Sequence, residues 1–379
     1  MNVHQNPFLY GRPVSEEINL VDRVQELSEL ESQVRSGQST MLYAPRRYGK
    51  TSLGRVLSAR LLEQSNIPTV YVDLWGATSI TDIAALMGRA YAEASGIERM
   101  KRYLMDVLRA IGVSISIGGA VAITRTLRDR AGEDRAVLRE LLEVPRQIAS
   151  RSPSGKLLLV LDEFGELFHI PGEPDALMRS AFQSSPEVSF LFMGSKRSLM
   201  DALFTDRNRP FYNFGRRMEL GRLPYEELGE FIERGFREGG RDIIAEAVDL
   251  ILSLSEGHPF RSQQLAFHAF RLAQEGTADE EVVLSAKDAA MDETEAEFRA
   301  ILDGMTPARR AVYLAVCREP IAEMHSREYM RRHGVKGSGS LNSALQSLAD
   351  SGDLEVRRGA VPKPTDPLLD IWVRERLRG

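Results

Sequence analysis

The chain has 379 residues, 43% hydrophobic and 27% charged, which describes a soluble globular protein long enough for two or three domains. Its formal net charge of -5 supplies no global basic field, so any nucleic-acid surface must be a local patch. One cysteine, Cys317, and six scattered histidines exclude an intrachain disulfide, a Cys-rich metal site and a helical HExxH pair, and point to a reducing, cytoplasmic compartment.

The opening MNVHQNPFLYGRP is turn-rich and lacks the basic-then-apolar build of a signal peptide. Apolar Val24, Leu27, Leu30 and Val34 predict a helix over Asp22–Ser36. Thr40–Ala44 reads as a short buried strand, Ser52–Gln64 as a helix and Thr69–Leu74 as a second strand. The segment from Ser79 to about Ala110 reads as largely helical. Ile111–Ile123 is apolar but too short to span a bilayer, so no membrane contact is expected. Alternation at Val113–Ile117 predicts a strand there, with Gly118-Gly119 as a hairpin turn. A charged helix is expected near Arg125–Ser150. Lys156–Leu161 (KLLLVL) is an apolar run of the kind buried on both faces; Ser189–Met193 is another and Arg217–Leu220 a last strand. Strands alternating with helices predict an α/β core with a parallel sheet covered on both sides.

After Pro224 the pattern turns helical, with helices over Tyr225–Glu238, Asp242–Glu256 and Arg261–Glu275 and no strand between them. Further helices are expected at Pro307–Arg318, Ser326–His333 and Gly339–Ser351, then a strand at Leu354–Arg358 and a proline-containing turn. Three helices and a small hairpin describe a winged helix-turn-helix. The expected units are 1–223, a sheet core; 224–304, a helical lid; and 305–379, the winged helix.

Chemistry concentrates at Ala44-Pro45-Arg46-Arg47-Tyr48-Gly49-Lys50-Thr51-Ser52, between a strand and a helix. That is the setting in which a GxxxxGK(S/T) loop binds phosphates, with backbone N–H groups and the helix N-terminus converging on the anion. Gly49 would let the backbone approach closely, Lys50 would reach the β- and γ-phosphates, and Thr51 would offer its hydroxyl to Mg2+. Ala44 stands where the motif has its first glycine; an alanine with negative φ serves there. The buried strand LLLVL ends in Asp162-Glu163, one carboxylate to hold Mg2+ and one to polarise an attacking water. Loop and carboxylates together predict ATP, with ADP after turnover. No (N/T)KxD segment is present to read guanine. Ser195, after the SFLFM strand, either senses the γ-phosphate and lytic water or caps the helix that follows.

With these pieces placed, the sequence resembles the archaeal-type ATPases of the AAA+/STAND P-loop group. The resemblance is carried by NPFLYGRPV, VDRVQELSEL, APRRYGKTSL, LDEF, FMGSKRSLM, FYNFGRRMEL, EGHPF and TDPLLDIWV in that order, over nearly the whole chain. It implies a strand between the loop strand and the Asp162 strand, a helical lid, and a C-terminal winged helix. It implies that His258 or Pro259 of Gly257-His258-Pro259 contacts the nucleotide, where the residues alone read equally well as a helix stop and restart. It implies that Arg216 acts as an arginine finger, in cis or from a neighbour in a homo-oligomer, with Arg217 as its rival. Tyr10, Pro13 and Arg23 would line the adenine pocket.

The expected third helix of the winged unit offers Asn342, Ser343, Gln346 and Ser347 but no basic residue. Arg331, Arg332, Lys336, Arg357, Arg358 and Lys363 lie nearby, offset by Asp350, Asp353 and Glu355. Two readings stand level: a DNA reader, or a protein-interaction or self-inhibitory module that packs on the core. For the whole chain the readings are an ATP-hydrolysing switch, a nucleotide-sensing signalling or defence scaffold with little turnover, and a DNA-acting ATPase.

Overall fold

The computed structural model describes residues 6–13, 20–21, 23–94, 105–106, 113–115, 121–123, 133–273, 276–321, 323–357 and 359–377. The first part runs α1 (Val24–Arg35), β1 (Thr40–Tyr43), α2 (Lys50–Ser65), β2 (Thr69–Asp73), α3 (Ile80–Glu93), β3 (Val113–Ile115) and β4 (Val121–Ile123). It continues through α4 (Glu133–Arg151), β5 (Leu157–Asp162), a 3-10 turn (Phe164–His169), α5 (Pro174–Gln183), β6 (Val188–Gly194), α6 (Arg197–Thr205) and β7 (Arg216–Glu219). Five strands form one sheet in the order β2-β5-β6-β1-β7, every neighbouring pair parallel. The strand that the resemblance places between β1 and β5 is β6.

The apolar run of β5 is explained by its two faces. Leu157, Leu159 and Leu161 enter a core with α3, α4, α5 and α6. Leu158 and Val160 enter a second core with α1 and α2. Alternate side chains of a strand point to opposite faces, so a central strand packed on both sides has no polar position to give. β3 and β4 pair antiparallel, with Val113 opposite Ile123. The turn expected at Gly118-Gly119, the helix expected beyond residue 94 apart from helical 105–106, and the start of the helix expected at Arg125 lie outside the described residues, as do Asp22 and Arg358.

The second part is mainly helical: α7 (Tyr225–Glu238), β8 (Asp242–Ile243), α8 (Ala245–Ser255), α9 (Pro259–Leu272), β9 (Thr277–Ala278) and α10 (Glu280–Asp303). Then follow α11 (Pro307–Arg318), α12 (Arg327–Arg332), α13 (Ser338–Asp350), β10 (Leu354–Glu355), β11 (Lys363–Pro364) and α14 (Pro367–Glu375). Two features depart from the sequence reading. β8 pairs in parallel with β9, where no strand was expected; a two-residue ladder is too short to leave a periodic trace. The strand expected over Leu354–Arg358 is two residues long, with Leu354 opposite Pro364 in an antiparallel pair with β11.

One apolar core joins the lid helices to the C-terminal helices, from Phe8 and Leu228 through Phe298 to Trp372. A buried ion pair stitches the same seam. Arg261 of α9, 0% exposed, donates through Nε to Asp366 at 2.9 Å, while Asp366 also caps α14 by accepting from the N–H groups of Leu368 and Leu369. Among the described residues no helix is long and apolar enough to cross a membrane.

Candidate nucleotide-binding site

β1 delivers the loop to the C-terminal edge of the sheet. The Ala44 N–H donates to Gly194 O at 3.3 Å, carrying the ladder one step past the strand. Ala44 is not among the residues with positive φ, so a side chain there costs the loop nothing. The left-handed positions are Arg47, φ 67°, and Gly49, φ 87°. Gly49 is the N-cap of α2, and Gly49, Lys50, Thr51 and Ser52 all line the cleft.

Lys50 is 6% exposed and folds back on its own loop, donating to Ala44 O at 2.7 Å and Pro45 O at 3.1 Å. Burial pushes its ammonium below the ordinary lysine value, opposed by the charges of Glu163 and Asp162. These two carbonyls hold the lysine where an anion would take over.

Asp162 ends β5. Its Oδ2 accepts from Thr51 Oγ1 at 3.1 Å and its Oδ1 from the Glu163 N–H at 2.9 Å. A hydroxyl and a carboxylate at this spacing, open to a cleft, suit a hard divalent cation that completes its shell with water and phosphate oxygens. Glu163 has φ 49°, a left-handed conformation uncommon for a residue with a side chain and found most often where function holds it. Its Oε2 accepts from Ser195 Oγ at 2.8 Å. Ser195 therefore orients Glu163. It does not cap the next helix, whose N-cap is Lys196 with no side-chain cap bond.

These groups line a cleft of about 570 Å³. Its lining includes Lys50, Thr51, Ser52, Asp162 and Glu163, the end that the sequence reading assigns to phosphate, and also Tyr10, Pro13, Arg23, Leu223 and Pro259. Arg23 is fixed by bonds to Glu26 and Gly221 O. Pro259, at the start of α9, faces the cleft. His258 does not: it is 2% exposed, caps α9 by accepting from the Arg261 N–H, and packs edge-on to Tyr48 with ring centroids 4.8 Å apart. Burial drives its imidazole down to about 3, against the pull of Asp366. Of the two alternatives at this pair, Pro259 lines the cleft and buried His258 does not.

Arg216 is corrected in one respect. It begins β7 opposite Thr40, while the loop leaves β1 after Tyr43, at the other end of the strand. It is exposed and paired with Glu29 at 2.8 Å. Neither Arg216 nor Arg217, one residue farther along, reaches its own chain's loop, which removes the cis arm of the finger reading.

Arg46, Arg47 and Tyr48 were expected at the nucleotide, but their partners in the fold, and Arg222 nearby, escaped the sequence reading. Arg46 lies over the Trp75 ring at 4.9 Å, with Asp73 beside it in the cleft. Arg47 reaches the lid, pairing with Glu297 of α10 at 2.8 Å and lying over the Phe260 ring at 4.5 Å. Tyr48 Oη donates to Glu355 of β10 at 3.3 Å. Arg222 gathers that region: Nε donates to Glu355 at 3.0 Å, Nη1 to Glu256 at 2.8 Å, and Nη2 to Pro364 O and Thr365 O. These partners stand 29 to 307 positions apart, so no short motif records them.

No protein-family model matches the chain, and no curated protein matches its sequence. Solved structures do. A Walker-type ATPase of Pyrococcus abyssi aligns with a TM-score of 0.66 at 21% identity, over 96% of this chain and 98% of its own. The ORC2 protein of Aeropyrum pernix, in its ADPNP and ADP complexes, aligns at 0.51 and 15% identity over 97% of each chain. The ORC1 protein of the same organism, in complex with DNA, aligns at 0.50 and 16% identity over 94% and 93%. The fold is that of the P-loop ATPases. Lys50, Thr51, Asp162 and Glu163 line one cleft, with buried Ser195 bonded to Glu163 behind it.

Proposed function

We propose that this chain is an ATP-binding, ATP-hydrolysing switch of the AAA+/STAND kind, built from units 1–223, 224–304 and 305–379. The observation that carries the reading is the meeting of loop and carboxylates. Thr51 donates to Asp162, and Ser195 holds Glu163 beside it. In this reading Lys50 leaves the carbonyls of Ala44 and Pro45 for the β- and γ-phosphates. Thr51 and Asp162 hold Mg2+, which supplies charge neutralisation at the phosphates when bound. Glu163, aimed by Ser195, takes the proton of the attacking water. Arg216 or Arg217 serves a neighbouring subunit's site, which makes the working form a homo-oligomer.

The C-terminal unit reads best as a module that packs on the core and answers to nucleotide state. Tyr48 sits in the phosphate loop and touches the hairpin directly, and Arg222 binds the same Glu355. The basic residues weighed for DNA are partly spent: Arg332 pairs with Glu319 and Lys363 with Glu256. Asn342, Ser343 and Gln346 of α13 remain exposed, and the ORC1 likeness was solved with DNA, so duplex DNA is the alternative partner to test. Stimulation of turnover by DNA that steepens as salt falls would favour it.

The test of the main reading is ATP binding and turnover by the wild type, Lys50→Ala and Glu163→Gln. Lys50→Ala is expected to lose about 100-fold in ATP affinity, the scale of a charged hydrogen-bonding group. Glu163→Gln is expected to bind ATP like the wild type and lose turnover by roughly 100-fold or more. Equal turnover in all three would sink the assignment. Binding without turnover in the wild type would leave the scaffold reading in its place.

A further inference from the structure

Tyr71 lies on β2, next to the strand that carries Asp162; Asp73 is opposite Asp162, and Tyr71 is opposite Val160. Its neighbours Val70 and Val72 point into the core on one face, which sends Tyr71 to the other face, beneath α2. The helix passes close to the ring at Gly54, where an added Cβ would lie 3.4 Å from Tyr71 Cε2. From there Tyr71 Oη donates to Asp162 Oδ2, the same oxygen that Thr51 Oγ1 donates to at 3.1 Å.

An ionised carboxylate offers about four acceptor directions. At Asp162 two on Oδ2 are taken by Thr51 and Tyr71, and one on Oδ1 by the Glu163 N–H. One direction, on Oδ1, is left for a donor from outside the protein. The torsion that turns an aspartate carboxylate is broad, so the plane of the group is set by its partners rather than by rotamer preference. A Thr51 hydroxyl that gives a lone pair to a cation still has its single proton for Oδ2. Tyr71 is then the second clamp on that oxygen, and it comes from a separate strand, outside the loop that carries Thr51.

We infer that Tyr71 is a positioning residue for the divalent cation, fixing the Asp162 carboxylate in the orientation that receives a metal-bound water; this rests on the nucleotide-site reading above. Supporting groups of this kind typically set metal affinity by about 10- to 100-fold.

The test is a Mg2+ titration of fluorescent-ATP binding by the wild type and Tyr71→Phe, with a parallel measurement in EDTA. Phenylalanine keeps the ring beneath Gly54 and removes only the hydroxyl. The expected result is an increase of about 10-fold in the Mg2+ concentration that half-saturates the effect, with EDTA affinity within about twofold of wild type. Mn2+ in place of Mg2+, read by its spin resonance in the presence of ATP, should show the same weakening without any turnover. An unchanged Mg2+ midpoint overturns the inference. So does an equal loss with and without metal, because that marks a role in folding or nucleotide contact alone. A wild type that binds ATP with no Mg2+ dependence fails the underlying site reading instead, and the inference falls with it.

Discussion

The phosphate end of the cleft and its lid-facing side are built on different scales. At the phosphate end, Lys50, Thr51, Asp162 and Glu163 come from two short segments at the ends of β1 and β5, parallel strands with β6 between them, and two of the contacts stay within six residues. On the other side, Arg47 meets Glu297, Tyr48 meets Glu355 and Arg261 meets Asp366, each pair more than 100 positions apart. Chemistry is written in contiguous residues because a loop needs fixed spacing between its donors. Coupling is written in pairs that exist only once the lid and the C-terminal helices have docked. The residues flanking Gly49 touch both: Lys50 lines the cleft, while Tyr48 turns away to His258 and the hairpin.

The largest expected effect lies on the docked side. Asp366→Ala leaves the Arg261 guanidinium buried without its partner and strips the cap from α14. It should cost about 3 kcal/mol or more of stability in chemical denaturation. A loss below about 1 kcal/mol would show that the seam between lid and C-terminal helices is held by the apolar core alone.

The next effect is a pH dependence. The ordinary histidine value is 6.5 and folded His258 titrates near 3. Between those values the unfolded chain takes up a proton that the folded chain refuses, so the contribution is complete above about pH 6.5 and declines as pH falls. From pH 7 to 5 the loss from this residue is about 2 kcal/mol. His258→Asn keeps a side-chain acceptor for the Arg261 N–H and should flatten that part of the profile. An identical slope in wild type and variant would place the acid sensitivity elsewhere, with Asp366 the first group to examine.

Much of this architecture was legible in advance, for reasons that also explain the gaps. KLLLVL marked a strand with two buried faces, and the faces are those of the two cores around β5. APRRYGKTS and the Asp-Glu pair marked the phosphate end. Tyr71 sat in plain view within TVYVDL, but its meaning needed the register between β2 and β5, which alternation along one strand does not supply. Ser195 had two readings that only the 2.8 Å bond to Glu163 separates. Arg216 was read from an order of motifs, and parallel pairing with β1 put it at the far end of the sheet from its own loop. Glu355 and Arg222 carry no local mark at all: an exposed-looking charge in a short strand and one in a linker become partners through tertiary contact alone.

In the proposed switch, the C-terminal hairpin responds to what occupies the phosphate loop through Tyr48 and Glu355. The direct measurement is amide hydrogen exchange over 354–365, with and without ATP and Mg2+, in the wild type and in Tyr48→Phe. The variant removes one hydroxyl at a cost of about 1 kcal/mol and leaves the ring against His258. The account predicts that nucleotide changes exchange in the hairpin of the wild type, and that Tyr48→Phe loses most of that change while binding ATP within about threefold of wild type, a change of under 1 kcal/mol. A hairpin whose exchange is the same with and without nucleotide, or whose response survives intact in Tyr48→Phe, would contradict it.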